Sequence, residues 1–126
     1  MLYQGSCHCG AVQFEVDAPQ EIEVEDCNCS ICAKSGFLHL IVPKSKFKLV
    51  AGGDKLTHYT FNTGVADHMF CTICGIKPFY TPRSNPDGVS VNARCLNTKP
   101  KAMKILPFDG QNWEENAHKL THKSVG

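Results

Sequence analysis

Seven of the chain's eight cysteines fall in three short motifs: Cys7-His8-Cys9-Gly10, Cys27-Asn28-Cys29-Ser30-Ile31-Cys32 and Cys71-Thr72-Ile73-Cys74-Gly75. No other feature limits the fold as much, because thiolates so spaced can share a metal ion. The two outer pairs add up to four sulfurs, the ligand set of a closed structural zinc site. An ion held by Cys7, Cys9, Cys71 and Cys74 would join the first turn of the chain to a turn more than sixty residues later. Each outer pair ends in Cys-Gly, and glycine tolerates the backbone angles of a metal knuckle. The middle motif supplies three thiolates on six residues and leaves one tetrahedral position over. Three protein ligands plus an exchangeable position is the pattern of a catalytic zinc. The alternative is a second closed site completed by Cys95, His39 or His68.

Disulfides would be the other use of so many cysteines, but Cys7 and Cys9, or Cys27 and Cys29, are too near in sequence to bond without strain. The start, Met1-Leu2-Tyr3-Gln4-Gly5, has neither the basic nor the apolar region of a signal peptide. The expected compartment is therefore the cytoplasm, or the nucleus, where thiols stay reduced. Thirteen Lys and Arg against twelve Asp and Glu give a net charge of +1. A nucleic-acid binder carries a basic excess, so a zinc-ribbon role on nucleic acid is not expected. No apolar run approaches the roughly 20 residues of a membrane span, so no membrane partner is expected either.

The whole chain, 1–126, reads as one domain. Strands are expected at 2–6, 11–16, 21–26, 37–42, 68–70, 77–81 and 89–96, from apolar alternation and bounding turn residues. The runs 47–50 and 56–61 flank Ala51-Gly52-Gly53-Asp54-Lys55 and read as a hairpin. One helical turn is expected near 30–34, and a short terminal helix after the Asp109-Gly110 turn. Many short strands at near-regular spacing make the domain mainly β. His8 lies between two ligands and should face away from them. Cys95 reads as a buried free thiol.

Gly5-Ser6-Cys7-His8-Cys9-Gly10-Ala11-Val12, the middle cluster and Phe70-Cys71-Thr72-Ile73-Cys74-Gly75 together resemble the glutathione-dependent formaldehyde-activating enzyme and centromere protein V domain family. Tyr59-Thr60-Phe61-Asn62-Thr63, Phe79-Tyr80-Thr81-Pro82-Arg83-Ser84-Asn85-Pro86 and Cys95-Leu96 extend the likeness over about residues 3–116. The resemblance implies a β-tent fold stapled by a structural zinc on Cys7, Cys9, Cys71 and Cys74. It also implies a catalytic zinc on Cys27, Cys29 and Cys32, so two zinc ions per chain. The implied activity is that of a carbon–sulfur lyase, forming S-hydroxymethylglutathione from glutathione and formaldehyde.

In that chemistry a zinc ion lowers the pKa of a bound thiol or polarises the aldehyde oxygen. Glutathione, as co-substrate, needs cationic partners for its two carboxylates; Arg83, Arg94 and Lys34 are the candidates by motif. Phe37, Phe70, Phe79 and Tyr80 are candidates for the pocket wall. The competing reading is a non-catalytic zinc module that binds glutathione or a protein. Nothing in the sequence sets the oligomeric state.

Overall fold

The computed structural model describes residues 1–124, a single small domain that is mainly β. Strands β1 (Leu2–Ser6), β2 (Gln13–Asp17) and β5 (Phe47–Ala51) form a small antiparallel sheet in the order β1-β2-β5. The larger sheet contains β3 (Glu21–Cys27), β4 (Leu38–Pro43), β6 (Leu56–Tyr59) and β7 (Asp67–Cys71). It also contains β8 (Phe79–Thr81), β9 (Gly88–Asn92) and β10 (Ala102–Phe108). Its order is β10-β3-β4-β9-β8-β7-β6, antiparallel throughout except for the β10 edge, which runs parallel to β3. Two short helices, α1 (Ser30–Ser35) and α2 (Trp113–Asn116), complete the regular elements, with single 3₁₀ turns between them.

The period of two along each strand decides which face is core. Phe14 and Val16 alternate with polar neighbours on β2 and point at the larger sheet, where Leu40, Val91 and Phe79 stand directly opposite one another on β4, β9 and β8. Phe14, Phe47 and Phe79 join the sheets through ring contacts, with centroids 4.7 to 5.8 Å apart. Burying Phe14 to 1% exposure contributes on the order of 1.5–3 kcal/mol.

The residues between those core positions face the other way. Ile41, Ser90, Tyr80, His68 and Tyr59 form one cross-strand row over β4, β9, β8, β7 and β6. Glu25 on β3 is opposite His39 on β4, beside that row. The second face is thus aromatic and titratable, and the site is built on it.

The expected strands and helices occur with shifted ends, and three features differ. The hairpin across Gly52-Gly53 does not form. β5 pairs with β2 and β6 with β7, so this segment carries the chain from one sheet to the other. Phe47 buries its ring between the sheets, and a 3₁₀ turn at Gly53–Lys55 replaces a tight hairpin turn. The last expected strand stops at Asn92, whose side-chain oxygen accepts from the Arg94 N–H and starts a 3₁₀ turn. β10 has no expected counterpart: it is a mostly exposed edge strand containing Pro107, without clean alternation.

Candidate metal centres and active-site cavity

The outer motifs converge. The ligand sulfurs of Cys7, Cys9, Cys71 and Cys74 lie within 4.8 Å of one another, and the Cys7–Cys9 and Cys9–Cys71 separations are both 3.7 Å. Four sulfurs about 2.3 Å from one ion stand about 3.8 Å apart at the corners of a tetrahedron. The cluster therefore has the size and donor set of a zinc site. Both knuckles turn on left-handed glycines, Gly10 at φ 80° and Gly75 at φ 77°. His8, between the ligands, is exposed. Cys95 stays outside both clusters, half-buried, its Sγ 3.9 Å from the Lys77 carbonyl, and burial pushes its thiol up to about 11.

The middle cluster is assembled by three different elements. Cys27 ends β3, Cys29 precedes α1, and Cys32 lies inside that helix, so one change of direction turns all three sulfurs inward, within 4.8 Å of one another. The Ala33 N–H donates to the Cys29 carbonyl to start the helix, and Gly36 at φ 67° stops it.

Asn28 faces outward and anchors the segment after β10. Its side chain donates to Asp109 at 3.1 Å and accepts from the Gln111 N–H at 2.9 Å. That anchoring lays Gly110 on the cluster, where a Cβ would stand 2.3 Å from the Cys27 Sγ. Only glycine fits there.

The three thiols lie close enough together to shift one another's protons. Bonds from Cys27 and Cys32 hold the Cys29 thiol far below its ordinary value, while its partners are pushed up. The three thiols therefore titrate as one coupled group. Loading a metal must displace the remaining protons.

Behind the sulfurs lies a buried polar network. His39 Nε2 is 3.2 Å from the Cys32 Sγ, and its Nδ1 is 3.0 Å from Ser90 Oγ and 3.2 Å from the Tyr80 hydroxyl. Burial, then the nearby Lys77, lowers His39 to about 3, so it is a neutral imidazole. Lys77 Nζ lies 2.6 Å from His68 Nδ1 and 3.7 Å from the Tyr80 ring centre. Burial lowers Lys77 to about 8, and burial, then Lys77, lowers His68 to about 4. A lysine ammonium can only donate, so His68 accepts on Nδ1 and carries its own proton on Nε2. His68 is held flat between Tyr80 and Phe61, with ring centres 4.8 and 5.4 Å away.

A cavity of about 260 Å³ opens over this face, with Cys27, Cys29, Cys32, His39 and His68 in its lining. Arg83 also lines it, donating to Glu114 at 3.0 Å and stacked 3.7 Å from the Trp113 ring centre. Arg94 and Lys34 lie outside it. Arg94 donates to the Gly36 carbonyl at 3.1 Å and borders a separate cavity beside the four-cysteine cluster, and Lys34 is exposed on α1. Of the four aromatic candidates for the wall, Tyr80 lines the cavity; Phe79 is core, Phe37 packs beneath Tyr80, and Phe70 is half-buried on β7 outside the lining. Of the three candidates for a fourth ligand, His39 touches the cluster, His68 lines the cavity and Cys95 is elsewhere. The sequence carried no mark for Lys77, Glu25 or Gly110; their roles depend on strand register and on a loop more than eighty residues from Cys27.

A family model described as glutathione-dependent formaldehyde-activating enzyme matches residues 2–114, and the chain belongs to that family. A protein of Halomonas elongata named "Putative glutathione-dependent formaldehyde-activating enzyme" is 33% identical over 127 aligned positions, covering 91% of this chain and 81% of the relative. The crystal structure of a Rhodobacter sphaeroides protein superimposes with a TM-score of 0.71 at 34% identity, covering 82% of this chain and 99% of that one. Among the described residues, no helix is long and apolar enough to cross a membrane.

Proposed function

We propose that the chain is a zinc-dependent carbon–sulfur lyase that makes and breaks adducts of glutathione with an aldehyde, as in S-hydroxymethylglutathione formation. The observation that carries this reading is the three-cysteine cluster, whose three sulfurs line a cavity, whereas the separate cluster already offers four sulfurs to an ion. Cys27, Cys29 and Cys32 would hold one zinc ion, and Cys7, Cys9, Cys71 and Cys74 another. Bound at the middle cluster, zinc supplies Lewis acidity, which favours the thiolate form of an incoming thiol.

The protein's own groups do the rest. Arg83 stands at the cavity lining as a partner for one glutathione carboxylate, already oriented by Glu114 and Trp113. His68 presents a proton on Nε2, and Lys77 fixes that tautomer. His39 braces Cys32 from behind through Ser90 and Tyr80. The apolar walls reduce the water that competes with the thiol.

Exchange between formaldehyde, glutathione and their adduct, followed by NMR exchange spectroscopy, tests the activity. Zinc-loaded protein should accelerate exchange beyond the uncatalysed rate, and Cys29→Ala should remove the acceleration. Glutathione binding without acceleration would instead make the domain a glutathione carrier.

A further inference from the structure

The cavity beside the middle cluster is a poor match to a whole glutathione molecule and a good one to an apolar substituent. Its volume of about 260 Å³ is small, below the roughly 300–1,000 Å³ usual for ligand pockets. Ile31, Ile41, Phe61, Phe108, Trp113 and Leu120 form an apolar wall in it. Ile41, Phe108 and Leu120 pack directly with Cys27 and Cys32, so the apolar wall begins at the sulfurs themselves.

The charged inventory is short and mostly committed, while Ser30, Asn62, Thr63 and Ser84 add neutral polar groups to the lining. Glutathione brings two carboxylates and an ammonium, yet Arg83 is the one lysine or arginine among the described lining residues. Arg83 is already shared with Glu114. Glu25, buried to 5% exposure, is paired with Lys123 through Oε1. Its Oε2, buried as well, has no hydrogen-bond partner among the described residues. Glu25 is two residues before Cys27 on β3, so both side chains lie on the same face of the sheet. A buried, unpartnered acceptor beside an apolar wall suits a ligand that carries a hydroxyl and a hydrocarbon group.

Thiol addition to an aldehyde creates that combination. The thiol sulfur bonds to the carbonyl carbon, the π pair moves to oxygen, and the thiol proton ends there as a hydroxyl; the reverse step restores both reactants. We propose that the aldehyde this site handles best carries a branched-alkyl or aryl group. The group fills the wall of Ile41, Phe108 and Leu120, and the new hydroxyl donates to Glu25 Oε2. This rests on the lyase reading above and names the substrate class within it. Thiol and peptide remain largely at the mouth, where Arg83 stands.

The test compares 3-methylbutanal with formaldehyde, each with glutathione and zinc-loaded full-length protein, by NMR exchange spectroscopy. Acceleration over the uncatalysed rate should be about tenfold or more greater for 3-methylbutanal, the scale at which a pocket reads hydrocarbon. Ile41→Phe, which fills the wall, should bring that ratio toward one. Leu120→Ala, which enlarges it, should move the preference to bulkier 3,3-dimethylbutanal, and either variant suffices if the other does not fold. Acceleration of formaldehyde with no gain for 3-methylbutanal overturns the substrate assignment and leaves the lyase reading intact. No acceleration with any aldehyde overturns both. A preference seen only when the hydrocarbon is on the thiol, with 3-methylbutanethiol and formaldehyde, also overturns the assignment.

Discussion

The two cysteine clusters use the same side chain for opposite ends. In the outer cluster four sulfurs face one another and two glycine knuckles meet from distant parts of the chain. In the middle cluster three sulfurs come from one stretch of chain and face a cavity. The outer cluster crosses a long loop and holds the small sheet's first turn to the end of β7; the middle one spans six residues and closes almost nothing. Under the proposed function, loop length and ligand number give the outer cluster a role in stability and the middle one a role in chemistry.

The largest expected effect breaks the outer side of that comparison. Cys71 is fully buried, and Cys71→Ala should abolish cooperative folding, because structural zinc supplies apparent folding free energy on the order of 10 kcal/mol. Circular dichroism and thermal melting will show it. Cys29→Ala should instead keep a folded sheet and lose one metal.

Gly110→Ala sharpens the comparison. The added methyl would stand 2.3 Å from the Cys27 sulfur, and overpacking of that kind costs about 1–3 kcal/mol. The variant should fold, retain the outer metal and lose the middle one, as metal analysis against a melting curve will show.

The next effect concerns pH. His68 is held below its ordinary value by burial and then by Lys77, at about 4. A base whose folded pKa is lowered is protonated more readily in the unfolded chain. Its contribution to stability is therefore present above pH 6.5 and declines as pH falls from there toward 4, by at most about 1.4 kcal/mol per unit. His68→Gln removes this dependence. The stability gap between parent and variant, from urea titrations at pH 7.5 and 5.5, should narrow at the lower pH, while the outer cluster gives both proteins the same background.

The smallest effect is at the mouth. Arg83→Met removes an exposed pair with Glu114 worth about 0.2–1 kcal/mol, so melting should barely change. Under the proposed function the KM for glutathione should rise several-fold with little change in kcat.

The cysteine motifs made both clusters legible, because ligand spacing is local and each knuckle carries its own glycine. The polar face was not legible. Ile41, Ser90, Tyr80 and His68 lie in one row only because β4, β9, β8 and β7 are neighbours in an order that departs from the sequence. Lys77 looks like any surface lysine until Tyr80 and His68 are placed beneath it. The two strands flanking Gly52-Gly53 carried a sound local signal that lost to other partners, β2 for β5 and β7 for β6. Gly110 reads as a simple turn, and its fit against Cys27 depends on β10 running parallel to β3.

Cobalt substitution tests the central division most directly. Protein refolded with cobalt should bind two ions per chain, one in a four-sulfur and one in a three-sulfur environment. Adding glutathione should strengthen the sulfur-to-cobalt charge-transfer absorption by about one thiolate, in the parent protein and not in Cys29→Ala. An unchanged spectrum in the parent, or two ions that respond alike, would contradict an open middle site.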